Sequence, residues 1–166
     1  MSDARDPSSI AIEVDRLSAS YHVRLRRAAG GDPAALKGAA AAFLDFFREE
    51  IAGHMGDEEE VVLPACPTLV EGAERIRREH VEIRDLAERI AGALGDPAAL
   101  SPLAAEMGAL LDDHVRYEER AYFMDVQAAL PPAALEDLGV RLEAFRSARG
   151  RVEACRRPRA WPQGTS

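Results

Sequence analysis

The chain has 166 residues, of which 47% are hydrophobic, 30% are charged and only 5% are aromatic. This length and composition suit a single soluble globular domain, and the net charge of −8 argues against a general nucleic-acid binder. No stretch is long and uncharged enough to span a bilayer, so we expect no membrane partner.

Helix-starting and helix-breaking residues divide the chain into five predicted helices. Glycine pairs and prolines mark helix ends, and Asp-Pro or Ser-Pro pairs mark helix starts. The predicted helices cover about Ile10 to Ala29, Asp32 to Leu63, Thr68 to Gly95, either Asp96 or Ser101 to Leu130, and Pro132 to Ser147. We therefore predict an all-α fold, with a helical domain over residues 10–147 between a disordered tail at 1–9 and a basic, partly disordered tail at 148–166.

All four histidines of the chain belong to one repeated pattern. A first histidine is followed 32 or 34 residues later by a second, which has a glutamate four residues on. The pattern occurs twice, as His22, His54 and Glu58 and as His80, His114 and Glu118. Residues four apart lie on the same side of an α-helix, so each His-x-x-x-Glu directs an imidazole and a carboxylate together. If each histidine has its own helix, four helices converge on one point.

The pentapeptide Asp-Pro-Ala-Ala-Leu is also repeated, at residues 32–36 and 96–100. Together with the doubled histidine pattern, it indicates two αα-hairpins related by a pseudo-twofold axis. A chance match in an alanine-rich chain is the alternative for the pentapeptide alone.

The histidines and glutamates of the pattern lie in the apolar stripes of their predicted helices. Phe47 and Ile51 precede His54 at helical spacing, and Leu111 precedes His114 in the same way. Burying so many ionisable groups is costly unless they are paired or coordinate cations. We therefore predict a metal site; hydrogen-bonded core histidines and surface His–Glu pairs are the metal-free alternative.

Imidazole and carboxylate ligands suit iron, zinc or manganese rather than calcium. Two glutamates from diagonal helices can bridge two cations, with His22 and His54 on one ion and His80 and His114 on the other. The Glu-x-x-His motif of ferritin-like bundles is absent, as are His-Glu-x-x-His and any cysteine cluster.

These segments resemble the haemerythrin-like (HHE cation-binding) family over roughly Ile12 to Phe145. The sequences that begin at His54 and His114 are similar to the family's His-x-x-x-Glu-Glu segments, and Arg-Glu-His80-Val-Glu-Ile is similar to its third-helix histidine. The resemblance implies an up-down four-helix bundle, here with an additional C-terminal helix, that holds two iron ions. It also implies that Glu58 and Glu118 bridge the irons, together with an oxo or hydroxo group.

The chain departs from oxygen-carrying haemerythrins, which have a fifth histidine four residues from another on the third helix. Here the positions four residues on either side of His80 are Ile76 and Arg84. A missing protein ligand leaves a metal position open to water, peroxide or another side chain. Three tyrosines near the ligands in sequence could fill it, although packing is the favoured role for Tyr21, Tyr117 and Tyr122.

The leading functional hypothesis is a cytoplasmic, non-haem di-iron protein that binds, senses or reacts with O2, peroxide or nitric oxide. The alternatives are an enzyme that processes peroxide or nitric oxide at the same centre, and a helical interaction module with a structural metal such as zinc. We expect a cytoplasmic protein because the polar N-terminus lacks the apolar core of a signal peptide. The two cysteines, Cys66 and Cys155, are also far apart in the sequence, which is consistent with reduced thiols.

Residues beside the ligands carry lesser predictions. On a regular helix Glu59, Glu60 and Glu119 point away from the site, so we expect a solvated face. Arg84 lies one turn from His80, and either pairs with a bridging carboxylate, holds a bound anion or lies on the surface. Gly53 and Gly56 permit a kink or a close helix approach beside His54.

Overall fold

The computed structural model describes residues 23–156, with side chains as far as residue 150. Within these residues the chain forms helices and connecting turns, with no strand, and the predicted all-α class is confirmed. We number the helical rods α1 to α5. They cover residues 23–28, 33–65, Val70–Gly92, 97–129 and Pro132–Arg156.

Most of the predicted first helix, the tail at 1–9 and the tail beyond residue 156 lie outside the described residues. His22 and Tyr21 lie there too. The up-down arrangement of four complete helices, and the division into one domain and two tails, therefore stay predictions.

The two copies of the repeated pentapeptide start α2 and α4 in the same way. The Asp32 carboxylate accepts a hydrogen bond from the Ala35 backbone N–H at 3.1 Å, and the Asp96 carboxylate accepts from Ala98 and Ala99 at 3.0 and 3.2 Å. A proline follows each capping aspartate in the first turn, where its missing N–H costs nothing. The fourth helix therefore starts after Asp96, and not at Ser101.

Two helix ends differ from the prediction. α2 continues through Pro64 to Ala65, because a proline is tolerated in the first residues of its last short α-helical stretch. α5 continues to Arg156, well past the expected end near Ser147. Between Ser147 and Arg156 the sequence has no proline and a single glycine, Gly150, which costs only about 1 kcal/mol in a helix.

Neither α2 nor α4 is a uniform α-helix. α2 consists of the α-helical Pro33–Phe46, Ala52–Asp57 and Leu63–Ala65, separated by the π-helical turns Phe47–Ile51 and Glu58–Val62. α4 consists of the α-helical Pro97–Tyr117, the π-helical turn Glu118–Tyr122 and the α-helical Phe123–Ala129. Wide turns of this kind occur often at functional sites, and here two of the three begin at Glu58 and Glu118.

Buried apolar side chains form two separate clusters along the rods. The first includes Leu25, Phe43, Met55, Ile83 and Leu111. The second includes Val61, Ile76, Tyr122, Leu138 and Leu142.

The pattern glutamates and histidines of α2, α3 and α4 fall between these clusters. Glu58 follows Met55 and precedes Val61, and His80 lies between Ile76 and Ile83. A polar layer therefore crosses the interior of the bundle.

Helix α5 covers one side of the bundle. Leu138 and Leu142 are buried in the second cluster, and Leu135 and Phe145 pack partly buried against it. Among the described helices, none has the length and apolar character that a bilayer crossing requires.

Candidate metal centre

Four of the predicted ligands meet at one point of the polar layer. Ligand atoms of Glu58, His80, His114 and Glu118 all lie within 4.8 Å of one another, and all four side chains are buried. They come from three different rods, α2, α3 and α4. The sequence pattern therefore identified residues that the fold brings together from positions up to 60 apart in the chain.

Glu58 lies between two histidines on two rods. Its Oε1 is 3.1 Å from His54 Nε2, and its Oε2 is 3.2 Å from His80 Nε2. Each carboxylate oxygen thus faces a different imidazole. This is the disposition that a carboxylate needs in order to bind two cations at once.

Glu118 occupies the matching position on α4. Its Oε1 is 3.0 Å from His114 Nε2 and 4.0 Å from His80 Nε2. The rings of His80 and His114 are 5.0 Å apart between centroids and meet edge to face. His54 is also buried beside this group, whereas His22 lies outside the described residues.

The two buried glutamates differ in their electrostatics. Burial alone would raise the pKa of Glu58, but His54 and His80 hold that pKa well below its usual range. Burial and the negative charge of Glu58 raise the pKa of Glu118. Two carboxylates this close repel each other when both are ionised, and a bound cation would remove that repulsion.

The residues present fit a divalent or trivalent cation of the iron, zinc or manganese type. Both oxygens of Glu58 and of Glu118 are buried, as is His80 Nε2. Among the described residues no hydrogen bond of good geometry reaches any of these five atoms. Buried polar atoms without hydrogen bonds are costly, and nitrogen and carboxylate oxygen donors are the ligands that such metals accept.

Two further carboxylates hold the outer nitrogens of two histidines. His80 Nδ1–H donates to Glu59 Oε1 at 2.8 Å, and His114 Nδ1–H donates to Glu79 Oε2 at 2.7 Å. The prediction that Glu59 faces solvent was therefore wrong. It failed because α3 lies beside Glu59, and its His80 and Arg84 both donate hydrogen bonds to the Glu59 carboxylate.

Arginines of α3 pair with both of these carboxylates. Arg84 donates to both oxygens of Glu59, at 2.9 and 3.1 Å, and Arg75 Nε donates to Glu79 Oε1 at 2.7 Å. Arg84 does pair with a carboxylate, but the partner is Glu59 and not one of the proposed bridging glutamates. Sequence reasoning missed Glu79 and Arg75, although their i,i+4 spacing was a signal for an ion pair on one helix.

The outer carboxylates are ionised by their surroundings. Burial would raise the pKa of Glu59, but Arg84 and His80 lower it below its usual range. Burial would likewise raise the pKa of Glu79, but His114 and Arg75 lower it.

Helix α5 is fixed to the ligand-bearing part of α2 through Asp57. This buried carboxylate accepts a hydrogen bond from Arg146 Nε at 2.6 Å and another from Arg149 Nη1. Arg149 also donates to the Gly53 carbonyl oxygen at 2.7 Å. A Cβ atom on Gly53 would be 3.0 Å from the Arg149 guanidinium, so Gly53 permits a close approach of α5, one of its two predicted roles.

The two tyrosines of α4 pack against neighbouring side chains, and the Tyr122 hydroxyl is buried with no hydrogen-bond partner among the described residues. Tyr122 is buried in the second apolar cluster, and Tyr117 stacks under the Arg75 guanidinium at 3.7 Å. Ile76, in the place of a fifth histidine, is buried in the same cluster as Tyr122.

Comparison with protein families decides the wider relationship. The family model described as Hemerythrin HHE cation binding domain matches residues 15–126. The chain belongs to the haemerythrin HHE family. Comparisons with curated proteins and with solved structures found no match.

Membership of the haemerythrin HHE family confirms the resemblance seen in the sequence and makes the chain a cation-binding protein. The matched range contains all six predicted ligands, including His22. The buried His and Glu cluster lies inside that range and is the site that suits a cation.

Proposed function

We propose that this haemerythrin HHE protein is a non-haem di-iron protein that binds or reacts with O2, peroxide or nitric oxide. The proposed ligands are the six residues of the repeated pattern, with the histidines terminal and the glutamates bridging. They are His22, His54, Glu58, His80, His114 and Glu118. A redox-active iron pair would supply the capacity to bind and reduce small oxygen or nitrogen species.

The observation that carries the proposal is the position of the Glu58 carboxylate between two imidazoles. Its two oxygens face His54 on one side and His80 on the other, at 3.1 and 3.2 Å. One ion with a pair of nitrogen ligands could lie on each side. A single-metal site would not need a carboxylate that faces two separate histidines.

The small molecule would bind at a coordination position that the protein leaves open. Ile76 and Arg84, four residues on either side of His80, provide no further ligand, since Ile76 is apolar and Arg84 pairs with Glu59. An open position favours reaction with an external molecule over simple storage of metal.

Metal analysis of protein purified without added iron tests this proposal. We expect two irons per chain and a visible absorption spectrum that changes when the reduced protein meets air. A colourless protein with stoichiometric zinc would instead favour the helical module with a structural metal.

Peroxide turnover separates a binding protein from an enzyme. If the iron-loaded protein consumes peroxide catalytically and the metal-free protein does not, the enzymatic alternative holds. Iron content that is unchanged in a Glu58→Ala variant would count against the ligand assignment.

A further inference from the structure

Two outer carboxylates repeat one arrangement around the quartet of Glu58, His80, His114 and Glu118. We propose that Glu59 and Glu79 are positioning residues, which fix the tautomer and ring orientation of His80 and His114 before the cation binds. This inference rests on the proposed metal-binding role of those two histidines. It assigns a role to two residues outside the repeated histidine pattern.

The first arrangement joins α2 to α3. Glu59 lies next to Glu58 on α2 and accepts from His80 Nδ1–H at 2.8 Å. Arg84, one turn after His80 on α3, donates to both Glu59 oxygens and fixes the carboxylate from its outer side. The glutamate is thus held between an arginine and a histidine of the same helix.

The second arrangement joins α3 to α4. Glu79 lies next to His80 on α3 and accepts from His114 Nδ1–H at 2.7 Å. Arg75, one turn before Glu79, donates to Glu79 Oε1 at 2.7 Å. The order of groups is the same in both cases: an arginine on α3, a carboxylate and a buried imidazole.

The direction of these hydrogen bonds determines which imidazole nitrogen faces the site. A carboxylate that is already paired with an arginine only accepts hydrogen bonds. The hydrogen must therefore be on Nδ1 of each histidine. In the neutral ring Nε2 then carries the lone pair, and Nε2 is the atom directed toward Glu58 in His80 and toward Glu118 in His114.

Imidazole rings that already have the required orientation should bind a cation more tightly, because the side chains lose less conformational freedom on binding. Carboxylate partners of ligating histidines also increase the basicity of the ring, and their loss costs about 10- to 100-fold in metal affinity or activity. Extra negative charge beside the ring should favour the more oxidised state of a bound redox metal.

Binding of Co2+, followed by its visible absorption, tests the inference without iron or any gas. We expect Glu59→Ala and Glu79→Ala each to weaken Co2+ binding by about 10- to 100-fold. The matched controls are Glu60→Ala on α2 and Glu82→Ala on α3, whose side chains are exposed. The controls should keep the affinity of the unaltered protein.

A second measurement reports the hydrogen bonds directly. In the Zn2+-loaded protein the two hydrogen-bonded Nδ1–H groups should give slowly exchanging, downfield proton signals. Glu59→Ala should remove or shift the His80 signal, and Glu79→Ala the His114 signal.

Conservative variants separate positioning from packing. Glu59→Gln and Glu79→Gln keep an acceptor oxygen, so they should weaken Co2+ binding less than the alanine variants. Because they lack the negative charge, they should still raise the midpoint potential of the iron-loaded protein. If glutamine variants matched the unaltered protein in potential and Nδ1–H signals, the two residues would only pack.

The outcomes distinguish this inference from the proposed function. Alanine variants that bind Co2+ as tightly as the unaltered protein, with both Nδ1–H signals in place, would overturn the positioning role alone. An unaltered protein that binds neither Co2+ nor Zn2+ would overturn both.

Discussion

Among the proposed ligands, the buried His114 has the clearest proton linkage. Burial alone would lower its pKa, but the charge of Glu118 and the hydrogen bond to Glu79 raise it to about 10. A cation would bind the neutral ring, so protons and metal compete for this residue. Metal affinity should therefore rise with pH up to this range.

The same shift predicts how the metal-free protein responds to pH. A histidine whose pKa is raised on folding stabilises the fold fully below its unfolded pKa of about 6.5 and progressively less up to its folded pKa. We expect the free energy of unfolding, measured with urea in the presence of a chelator, to fall between pH 6.5 and about 10. In His114→Gln the free energy of unfolding should depend less on pH over this range. An equally steep fall in that variant would show that His114 is not the residue responsible.

Single residues also show what sequence reasoning could find. Four pattern residues were identified because a spacing of four places His and Glu on one helix face, and His22 and His80 because each precedes such a pair by a similar distance. The four residues that form the quartet do meet. Glu79 and Asp57 were missed because their partners, on α4 and α5, are 35 and about 90 residues away. Contacts of this kind depend on how helices are placed, which no local spacing encodes.

At the scale of helices, the ion pairs of Asp57 with Arg146 and Arg149, here called the Asp57 cluster, hold α5 against α2. Asp57→Ala would leave Arg146 and Arg149 without their buried partner, yet both guanidinium groups are partly exposed and can turn to water. We expect a loss of about 1–3 kcal/mol in the free energy of unfolding. The double variant Arg146→Ala/Arg149→Ala should lose more, because it leaves a buried carboxylate without its cations.

The control for the Asp57 variants is Asp85→Ala, which removes an exposed ion pair with Arg89 on α3. Exposed pairs of this kind contribute about 0–1 kcal/mol. If the Asp57 variant lost no more stability than this control in urea unfolding, the cluster would not fasten α5.

Gly72 governs how closely α3 packs against the π-helical turn of α4. A Cβ atom at this position would be 2.7 Å from Tyr122 Cδ2 and 3.0 Å from the Tyr117 hydroxyl. Because Tyr122 is buried in the second apolar cluster, its ring has little room to move. We expect Gly72→Ala to destabilise the protein by about 1–3 kcal/mol, the usual cost of overpacking.

Gly38→Ala on α2 provides the matched comparison for Gly72. Gly38 is exposed in the helix interior, and no described atom would lie within 4 Å of its Cβ. Replacement there should stabilise the protein by about 0.5–1 kcal/mol. If thermal unfolding showed that both substitutions change the stability in the same direction, the packing seen at Gly72 would be contradicted.

The helix boundaries illustrate the limits of pattern reading at this scale. Capping aspartates and the Pro131-Pro132 pair predicted most starts and ends to within a few residues. The π-helical turns were not predicted, since they arise where packing and the buried carboxylates outweigh regular hydrogen bonding. Glu59 was misplaced because spacing along α2 does not show that His80 and Arg84 of α3 lie beside it.

For the whole molecule, cation binding and folding should be one linked equilibrium. The quartet of Glu58, His80, His114 and Glu118 comes from three rods that meet only in the folded state, so a cation held there would stabilise the folded chain. A free cation concentration of 100 times Kd should add about 2.7 kcal/mol to the free energy of unfolding.

Glu58→Gln tests this linkage without a large change in volume. The variant should lose most of the rise in melting temperature that added Fe2+ or Zn2+ gives the unaltered protein. Glu119→Gln, at an exposed position next to Glu118, should keep the full rise. A complete rise in the Glu58 variant would place the cation elsewhere.

The wide turns that begin at Glu58 and Glu118 have a consequence for the length of the chain. A π-helical turn contains about one amino acid more than an α-helical turn. The turns Glu58–Val62 and Glu118–Tyr122 therefore each contain one extra residue directly after the glutamate. Deleting that residue would convert the wide turn into a regular α-helical turn and keep the helix beyond it on nearly the same face. A one-residue deletion at either point should therefore be tolerated better than one in the regular helix just before the turn, which would rotate everything downstream by about 100°.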